Sequence, residues 1–321
     1  MRAVVTGANG FIGAELARAL LAPGSDLAIS RLVLTDRAAS RFAWRDPRVE
    51  FRIGDIADPG FARSLVENAG TVFHLAGVVS GAAEADFDLG MRVNLEGTRN
   101  VLEACRAQSG PVCLVFASSI AVYGVPLPPA IDDDTPSLPT LSYGTQKLVC
   151  EQLIHDYTRK GFLEGRALRL PGIVVRPRLP NGALSAFASD IIREPLAGND
   201  YVCPVSPAGV TWKMSAARCA ANLIHASRAP ARDWDARRGL LLPALAVSMA
   251  EIVDALERAA GSAVRKRVRF APDAALERQF AGWPRELHAR RALALGFRAD
   301  ESLDRIVADH LAAVKAGACA A

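Results

Sequence analysis

Two kinds of apolar pattern alternate through the first half of the chain. Short unbroken runs sit between longer stretches whose apolar positions recur every three or four residues. Ala3-Val4-Val5 is the first run and stops at Thr6-Gly7. Ile12, Leu16 and Leu20, with Ala17 and Leu21, then share one helical face until Pro23-Gly24. Runs at 32–35, 49–53, 71–75 and 112–117 alternate with helical patterns at 60–68, 86–107 and 141–160, and a strand is expected over 166–175 before Arg176-Pro177. The run Thr71-Val72-Phe73-His74-Leu75 is apolar almost throughout, as in parallel strands covered on both faces. Regular strand–helix alternation predicts an α/β fold built on a doubly wound parallel sheet.

The first strand–helix junction carries candidate chemistry. Gly7, Gly10 and Gly13 fall between the run and the helix that starts near Phe11. Glycine removes the Cβ atoms that would hold a pyrophosphate off the backbone, and a helix start offers N–H groups and a positive dipole end. Three glycines alone fit a plain turn equally well, and their spacing is not that of G-x-G-x-x-G. The second strand supplies an independent check, because it ends on Asp36. A carboxylate there can accept from both ribose hydroxyls of an adenosine and repels a 2′-phosphate, which favours NAD over NADP. Asp55 stands where it can meet an adenine amino group, and an exposed loop carboxylate with no ligand is an equal reading of it. Ala76-Gly77-Val78-Val79-Ser80-Gly81, after the fourth strand, is small enough for a flat ligand to lie against the backbone. Together these mark a dinucleotide site on a Rossmann-type sheet.

Regularity lapses after Pro177. Residues 178–215 are rich in Pro, Gly, Ser and Asn, with one helical pattern around 187–192. A helix over 215–227 and a strand over 239–242 are expected to return to the sheet. Ser248 and Glu251 form a capping-box signature opening a helix over 249–260. A strand over 264–270 and helices near 273–280 and 301–314 complete a smaller α/β lobe. The expected division is 1–177 for the NAD-binding domain and 178–321 mainly for substrate, with return segments at about 215–245 and the site in the cleft between. The proline-rich stretch 125–141 reads as an irregular loop whose Asp132-Asp133-Asp134 triplet is solvated.

Composition removes other classes. Of the 321 residues, 50% are hydrophobic and 22% charged, and the net charge of +4 is scattered. No basic stripe with aromatic platforms marks a nucleic-acid groove. The six cysteines form no C-x-x-C pair, and the five histidines are isolated, so neither a metal site nor a disulfide framework is expected, which fits a reducing cytoplasm. There is no signal-peptide-like apolar segment and no run near the ~20 residues of a membrane span.

Tyr143 and Lys147 stand four residues apart on one predicted helix, on the same face. A neighbouring ammonium favours a phenolate over a phenol, the form a general base for a substrate hydroxyl requires. Ser119, at the end of the preceding strand, can orient that hydroxyl. The pair alone is a common coincidence; its position after a nucleotide-type turn, an acidic ribose position and a Ser-Ser strand end gives it weight.

Gly7-x-x-Gly10-x-x-Gly13, Asp55-Ile56, His74-Leu75-Ala76-Gly77, Asn94-x-x-Gly97-Thr98, Ser118-Ser119-x-x-Val122-Tyr123-Gly124 and Tyr143-x-x-x-Lys147 together resemble the extended short-chain dehydrogenase/reductases, the group of nucleotide-sugar epimerases and dehydratases. The resemblance covers essentially the whole chain. It implies a catalytic triad of Ser119, Tyr143 and Lys147, with Ser119 preferred over Ser118 because it lies four residues before Tyr123. It also implies that Gly7, Gly10, Phe11, Ile12 and Gly13 line the pyrophosphate, that Asp55, Ile56, Leu75, Ala76 and Asn94 surround adenine and ribose, and that Lys147 holds the nicotinamide ribose. Ser80 and Tyr143 complete the cofactor set, and a homodimer through 86–107 and 141–160 follows from the same resemblance.

Within that group, Val79-Ser80-Gly81-Ala82-Ala83-Glu84-Ala85-Asp86-Phe87-Asp88, Ser142-Tyr143-Gly144-Thr145-Gln146-Lys147 and Arg193-Glu194-Pro195-Leu196-Ala197-Gly198, with Cys203-Pro204-Val205-Ser206-Pro207, are similar to D-erythronate dehydrogenases. Those enzymes oxidise a four-carbon sugar acid at its 2-hydroxyl with NAD. The leading expectation is therefore an NAD-dependent dehydrogenase of a small 2-hydroxy sugar acid, with Ser80, Ser119, Asn181, Ser185, Arg193, Trp212 and Lys213 as candidate substrate contacts. A nucleotide-sugar epimerase or dehydratase with retained NAD is the alternative within enzymes. An NAD-sensing regulator is the alternative outside them.

Overall fold

The computed structural model describes residues 1–178, 185–230, 234 and 239–315. From the N-terminus, β1 (Arg2–Thr6), α1 (Phe11–Leu21), β2 (Arg31–Asp36), β3 (Val49–Ile53), α2 (Pro59–Val66) and β4 (Thr71–His74) lead to α3 (Ser80–Ala85) and α4 (Phe87–Gly90). A π-helical turn (Met91–Glu96) and α5 (Gly97–Arg106) follow, then β5 (Cys113–Ser119), a 3-10 turn (Ile120–Val122), β6 (Ala130–Asp132), α6 (Ser142–Arg159), β7 (Glu164–Leu170) and β8 (Gly172–Val174). Next come α7 (Phe187–Leu196), β9 (Tyr201–Cys203), β10 (Val210–Ser215), α8 (Ala216–Arg228), β11 (Leu240–Leu241), β12 (Leu245–Ser248) and α9 (Met249–Ala260). The last elements are α10 (Ser262–Arg265), β13 (Val268–Phe270), α11 (Ala274–Phe280), β14 (Glu286–His288), α12 (Arg290–Ala294) and α13 (Leu303–Lys315).

Contacts divide the chain into two units: Met1–Gly124 with Ser137–Leu170 and Cys219–Leu241, and Val125–Pro136 with Pro171–Arg218 and Leu242–Ala321. In the first unit seven parallel strands run in the order β11-β7-β5-β4-β1-β2-β3. The doubly wound sheet expected from the alternation is present. Strand order reverses between β1 and β4, and such switch points open a crevice at the strand carboxyl ends where α/β sheets take ligands. Val4, Val33, Val72, Leu114 and Phe116 from the strands pack against Leu65, Val101, Leu102, Cys150 and Ile154 from the helices.

The second unit has a three-stranded sheet, β12-β10-β8, and the pairs β13-β9 and β14-β6. Its core gathers Phe187, Ile191 and Ile192 of α7, Ile252, Val253 and Leu256 of α9, Cys203, Val205 and Val247. Ser248 caps α9 as its spacing predicts: its Oγ accepts from Glu251 N at 3.2 Å, and Glu251 accepts from Ser248 N at 2.6 Å.

Three expectations need correction. The strand expected over 166–175 is two strands, because Pro171 lacks the N–H a ladder needs; β7 stays in the large sheet and β8 pairs with β10 instead. The stretch expected as an irregular loop over 125–141 holds the short strand β6, paired with β14; the helix expected over 86–107 is present as the unbroken succession of α4, the π-helical turn and α5. The strand expected over 264–270 begins as the short helix α10, entered through Gly261 at φ +86°, so only Val268–Phe270 is extended. Among the described residues no helix is long and apolar enough to cross a membrane.

Candidate active site

The turn after β1 exists because three side chains are missing. Gly7 has φ +70°, and a Cβ on it would come within 2.8 Å of Ala76 N at the exit of β4. Only glycine lets these two strand ends approach so closely. A Cβ on Gly13 would lie 2.3 Å from the Gly7 carbonyl oxygen, so its absence seats α1 on the turn. Gly10 is the N-cap of α1, with no side chain bonded to the first-turn N–H groups and no acidic residue there. Half-buried Phe11 and Ile12 flank these donors. A backbone cradle without side chains at the positive end of a helix suits a pyrophosphate. The residues present fit a dinucleotide.

Asp36 ends β2 beside that cradle. Its Oδ2 accepts from Asn9 N at 3.0 Å and its Oδ1 from Arg37 N at 2.8 Å. Asn9 Nδ2 in turn donates to the carbonyls of Ala38 and Ala39. A carboxylate offers about four acceptor positions, so two remain for hydroxyl donors. Asp55 is paired with Arg92 at 2.8 Å and accepts from Ala57 N. Burial opposes the effect, but the bonds from Ala57 N and Arg92 hold its carboxyl below the ordinary range. Ile56 packs on Gly97, where a Cβ would stand 2.9 Å from its Cδ1.

A buried relay shapes the loop after β4. Thr6 Oγ1 accepts from Leu75 N at 3.1 Å and Ala76 N at 3.0 Å, so its own proton goes to His74 Nδ1 at 2.8 Å. Thr98 Oγ1 donates to the Asn94 carbonyl at 2.6 Å and therefore accepts from His74 Nε2 at 3.0 Å. His74 is a neutral Nε2–H tautomer in this arrangement. Burial, helped by the Lys147 charge, pushes its pKa down to about 3. Asn94 Oδ1 accepts from Val78 N at 2.7 Å, and its Nδ2 donates to Val78 O and Gln146 Oε1. Leu75, Ala76 and Asn94 are thus fixed by one network; Thr6, His74, Thr98 and Gln146, which the motifs left without a role, hold it together.

The same end of the sheet gathers Ser119, Tyr143 and Lys147. Ser119 is the last residue of β5, and its Oγ accepts from Ala121 N at 3.1 Å. Its hydroxyl proton has no acceptor among the described residues. Ser118 points the other way and donates to Glu151, within a buried pair of Glu151 and Arg169 at 2.8 Å. Alternation along the strand therefore commits Ser118 to the core and leaves Ser119 available. Gly144 lets α6 press on the 3-10 turn after Ser119: a Cβ there would be 2.3 Å from Ala121 O. Lys147, 4% exposed, donates from Nζ to Ala117 O at 2.8 Å and lies 4.5 Å from the Phe116 ring centre and 5.6 Å from that of Tyr143. An ionised phenol beside an ammonium that is itself held on a strand carbonyl can take a proton from an alcohol, while the ammonium steadies the charge that develops.

The remaining candidates scatter. Ser80 opens α3. Ser185 lies in the turn before α7, and Asn181 lies outside the described residues. Arg193 is committed to Asp190, Glu194 and the Arg176 carbonyl, which fastens α7. Trp212 is buried at 1% exposure and its one N–H donates to Pro284 O at 2.8 Å, so it has no donor left for a ligand. Lys213 is buried as well, at 2% exposure. Among the described residues no group of three or more His, Cys, Asp and Glu could hold a metal ion.

Comparison with known proteins agrees with this geometry. The chain is 46% identical to the D-erythronate dehydrogenase of Cupriavidus necator, covering 96% of this chain and 97% of that protein. It is 39% identical to the D-erythronate dehydrogenase of Haemophilus influenzae, over 96% and 98%. A solved structure described as the nucleoside-diphosphate-sugar epimerase from Agrobacterium tumefaciens superposes with a TM-score of 0.91 at 37% identity, covering 100% of this chain and 96% of that one. The family model for the NAD dependent epimerase/dehydratase family matches residues 3–209, which include the glycine turn, the β4 loop and Ser119, Tyr143 and Lys147. With the switch-point crevice and the cradle beneath it, these matches make the chain a member of the NAD dependent epimerase/dehydratase family.

Proposed function

We propose that this protein is an NAD-dependent dehydrogenase that oxidises the 2-hydroxyl of a small sugar acid, D-erythronate or a close relative, to the 2-oxo acid. The observation that carries this reading is the near full-length similarity to two D-erythronate dehydrogenases. Asp36 supports NAD rather than NADP, since its carboxylate at the end of β2 suits ribose hydroxyls and repels a 2′-phosphate.

In this reading Ser119 donates its free proton to the substrate hydroxyl oxygen and so fixes the alcohol against Tyr143. The Tyr143 oxygen takes the hydroxyl proton as the C2–H bond breaks. Lys147 lies over the Tyr143 ring and spends one N–H on Ala117 O, leaving two for ribose and phenolate. NAD, with its pyrophosphate held by the glycine cradle, would supply the hydride acceptor. The Thr6–His74–Thr98 relay holds the β4 loop rigid without exchanging protons, because His74 stays neutral through the working pH range.

Purified protein with NAD and a panel of four- to six-carbon aldonic acids tests the reading. NADH should appear with D-erythronate or a near relative; its absence with every acid overturns the proposal. The epimerase reading, favoured by the Agrobacterium match, predicts turnover of a sugar nucleotide with no net NADH.

A further inference from the structure

Lys147, Arg166 and Arg169 are buried in the first unit. Arg166 pairs with Glu164 at 3.0 Å and Arg169 with Glu151 at 2.8 Å. Lys147 pairs with no carboxylate among the described residues. Its Nζ has one hydrogen-bond acceptor there, Ala117 O at 2.8 Å. A single neutral carbonyl leaves most of the cost of burying an ammonium unmet.

Phe116 of β5 is placed to meet more of it. Its ring, on a residue 1% exposed, has its centre 4.5 Å from Nζ, closer than the Tyr143 ring at 5.6 Å. An aromatic face is the negative side of the ring quadrupole and attracts a cation within about 6 Å, most strongly where water is excluded. Phe116 and Ser118 leave β5 on one face, and α6 meets both. Ser118 donates to Glu151, whereas Phe116 offers Lys147 its ring. Two other titratable groups bear on Lys147. His74 is the β4 partner of Phe116, with its ring 5.7 Å from the Phe116 ring, and Cys150 lies one turn further along α6. Burial pushes the His74 pKa down to about 3 and the Cys150 thiol up, so both stay uncharged at working pH and neither supplies an anion. Consecutive residues of β5 therefore serve the ammonium in different ways, Ala117 by its carbonyl and Phe116 by its ring.

We propose that Phe116 is a positioning residue whose ring face holds the Lys147 ammonium over Ala117 O, in place beside the Tyr143 ring for proton transfer. This rests on the dehydrogenase reading above and adds the group that fixes its lysine. The attraction is electrostatic, so it follows the charge on the ring face rather than the shape of the ring.

Ring fluorination tests it, because fluorine drains the negative face while the ring keeps nearly the same shape. Phe116 is replaced by phenylalanines carrying one, two and three fluorines, in the otherwise wild-type protein and in Lys147→Met. In the first background the melting temperature should fall with each fluorine, although the added apolar surface by itself would raise it. In Lys147→Met the same series should stay level or rise, which isolates the ring–ammonium pair. With the aldonic acid that yields NADH, kcat should fall in the same order, by about tenfold over the series, while KM for the acid stays within about threefold. A level or rising melt in the first background, an equal fall in both backgrounds, or a kcat that ignores the series overturns the proposal. Should Lys147→Met not fold, the melts and kcat of the first background decide. The melts require no turnover, so failure of the dehydrogenase reading shows separately, as absent NADH with unsubstituted protein, and the melts then decide for Phe116.

Discussion

Lys147 and Lys213 are almost equally buried, at 4% and 2% exposure, yet their surroundings are opposite. Lys147 is answered by its own unit, with the Ala117 carbonyl as acceptor and the Phe116 and Tyr143 rings beside it. Lys213 has one distant ring and a repelling Arg176. Folding gives the first charge an acceptor and gives the second none among the described residues. The difference is one of stability: a buried cation held on a carbonyl recovers part of its desolvation cost, and one without an acceptor does not.

The largest expected effect tests the Lys147 side. Tyr143→Phe should lower kcat by about 10² to 10⁴ while dinucleotide binding, read by fluorescence titration, stays within a few-fold; an NAD-sensing regulator would instead keep its output. Next is the buried pair that resembles Lys147 in being fully answered. Glu151→Ala strands Arg169 and should cost about 3–5 kcal/mol in a denaturant melt; a loss below ~1 kcal/mol would mean the pair is not truly desolvated. On the other side, the stability gained by Lys213→Met should depend on pH. Burial lowers the Lys213 pKa from 10.5 to about 7, so between these values the unfolded chain holds a proton that the folded one lacks. Folded stability then rises with pH across that window. The variant's advantage, on the order of a few kcal/mol, should be complete below pH 7 and gone above 10.5. A constant advantage would place the charge in water. The smallest effect is at the cofactor: under the proposed NAD reading, Asp36→Ser should shift the kcat/KM ratio of NAD to NADP by about tenfold towards NADP.

Much of the first unit was readable from local pattern. Gly7, Gly10 and Gly13 are close in sequence because a turn and a helix start are local structures, and Tyr143 and Lys147 share a helix face by spacing alone. The strand limits fell short where a run of β-forming residues crosses Pro171, since apolar character does not say which sheet a strand joins. The His74 relay was invisible for a different reason. Its bond to Thr6 spans 68 residues and its bond to Thr98 spans 24, and nothing along the chain announces such partners. Arg193 and Trp212 had the right chemistry for a substrate, and neighbours in space claimed it.

What the sequence determined by itself was the order of strands and helices, the glycine turn, the acid at the end of β2 and the residue types of a proton-transferring site. Periodicity and turn chemistry are short-range, and a chain cannot hide them. Tertiary structure decided which of those side chains remain free. Ser118 is spent on Glu151 and Ser119 is not; Trp212 is spent on Pro284 and Lys213 is not. Availability is what remains after every buried donor and acceptor has found its partner, and that balance exists only once the whole chain has packed.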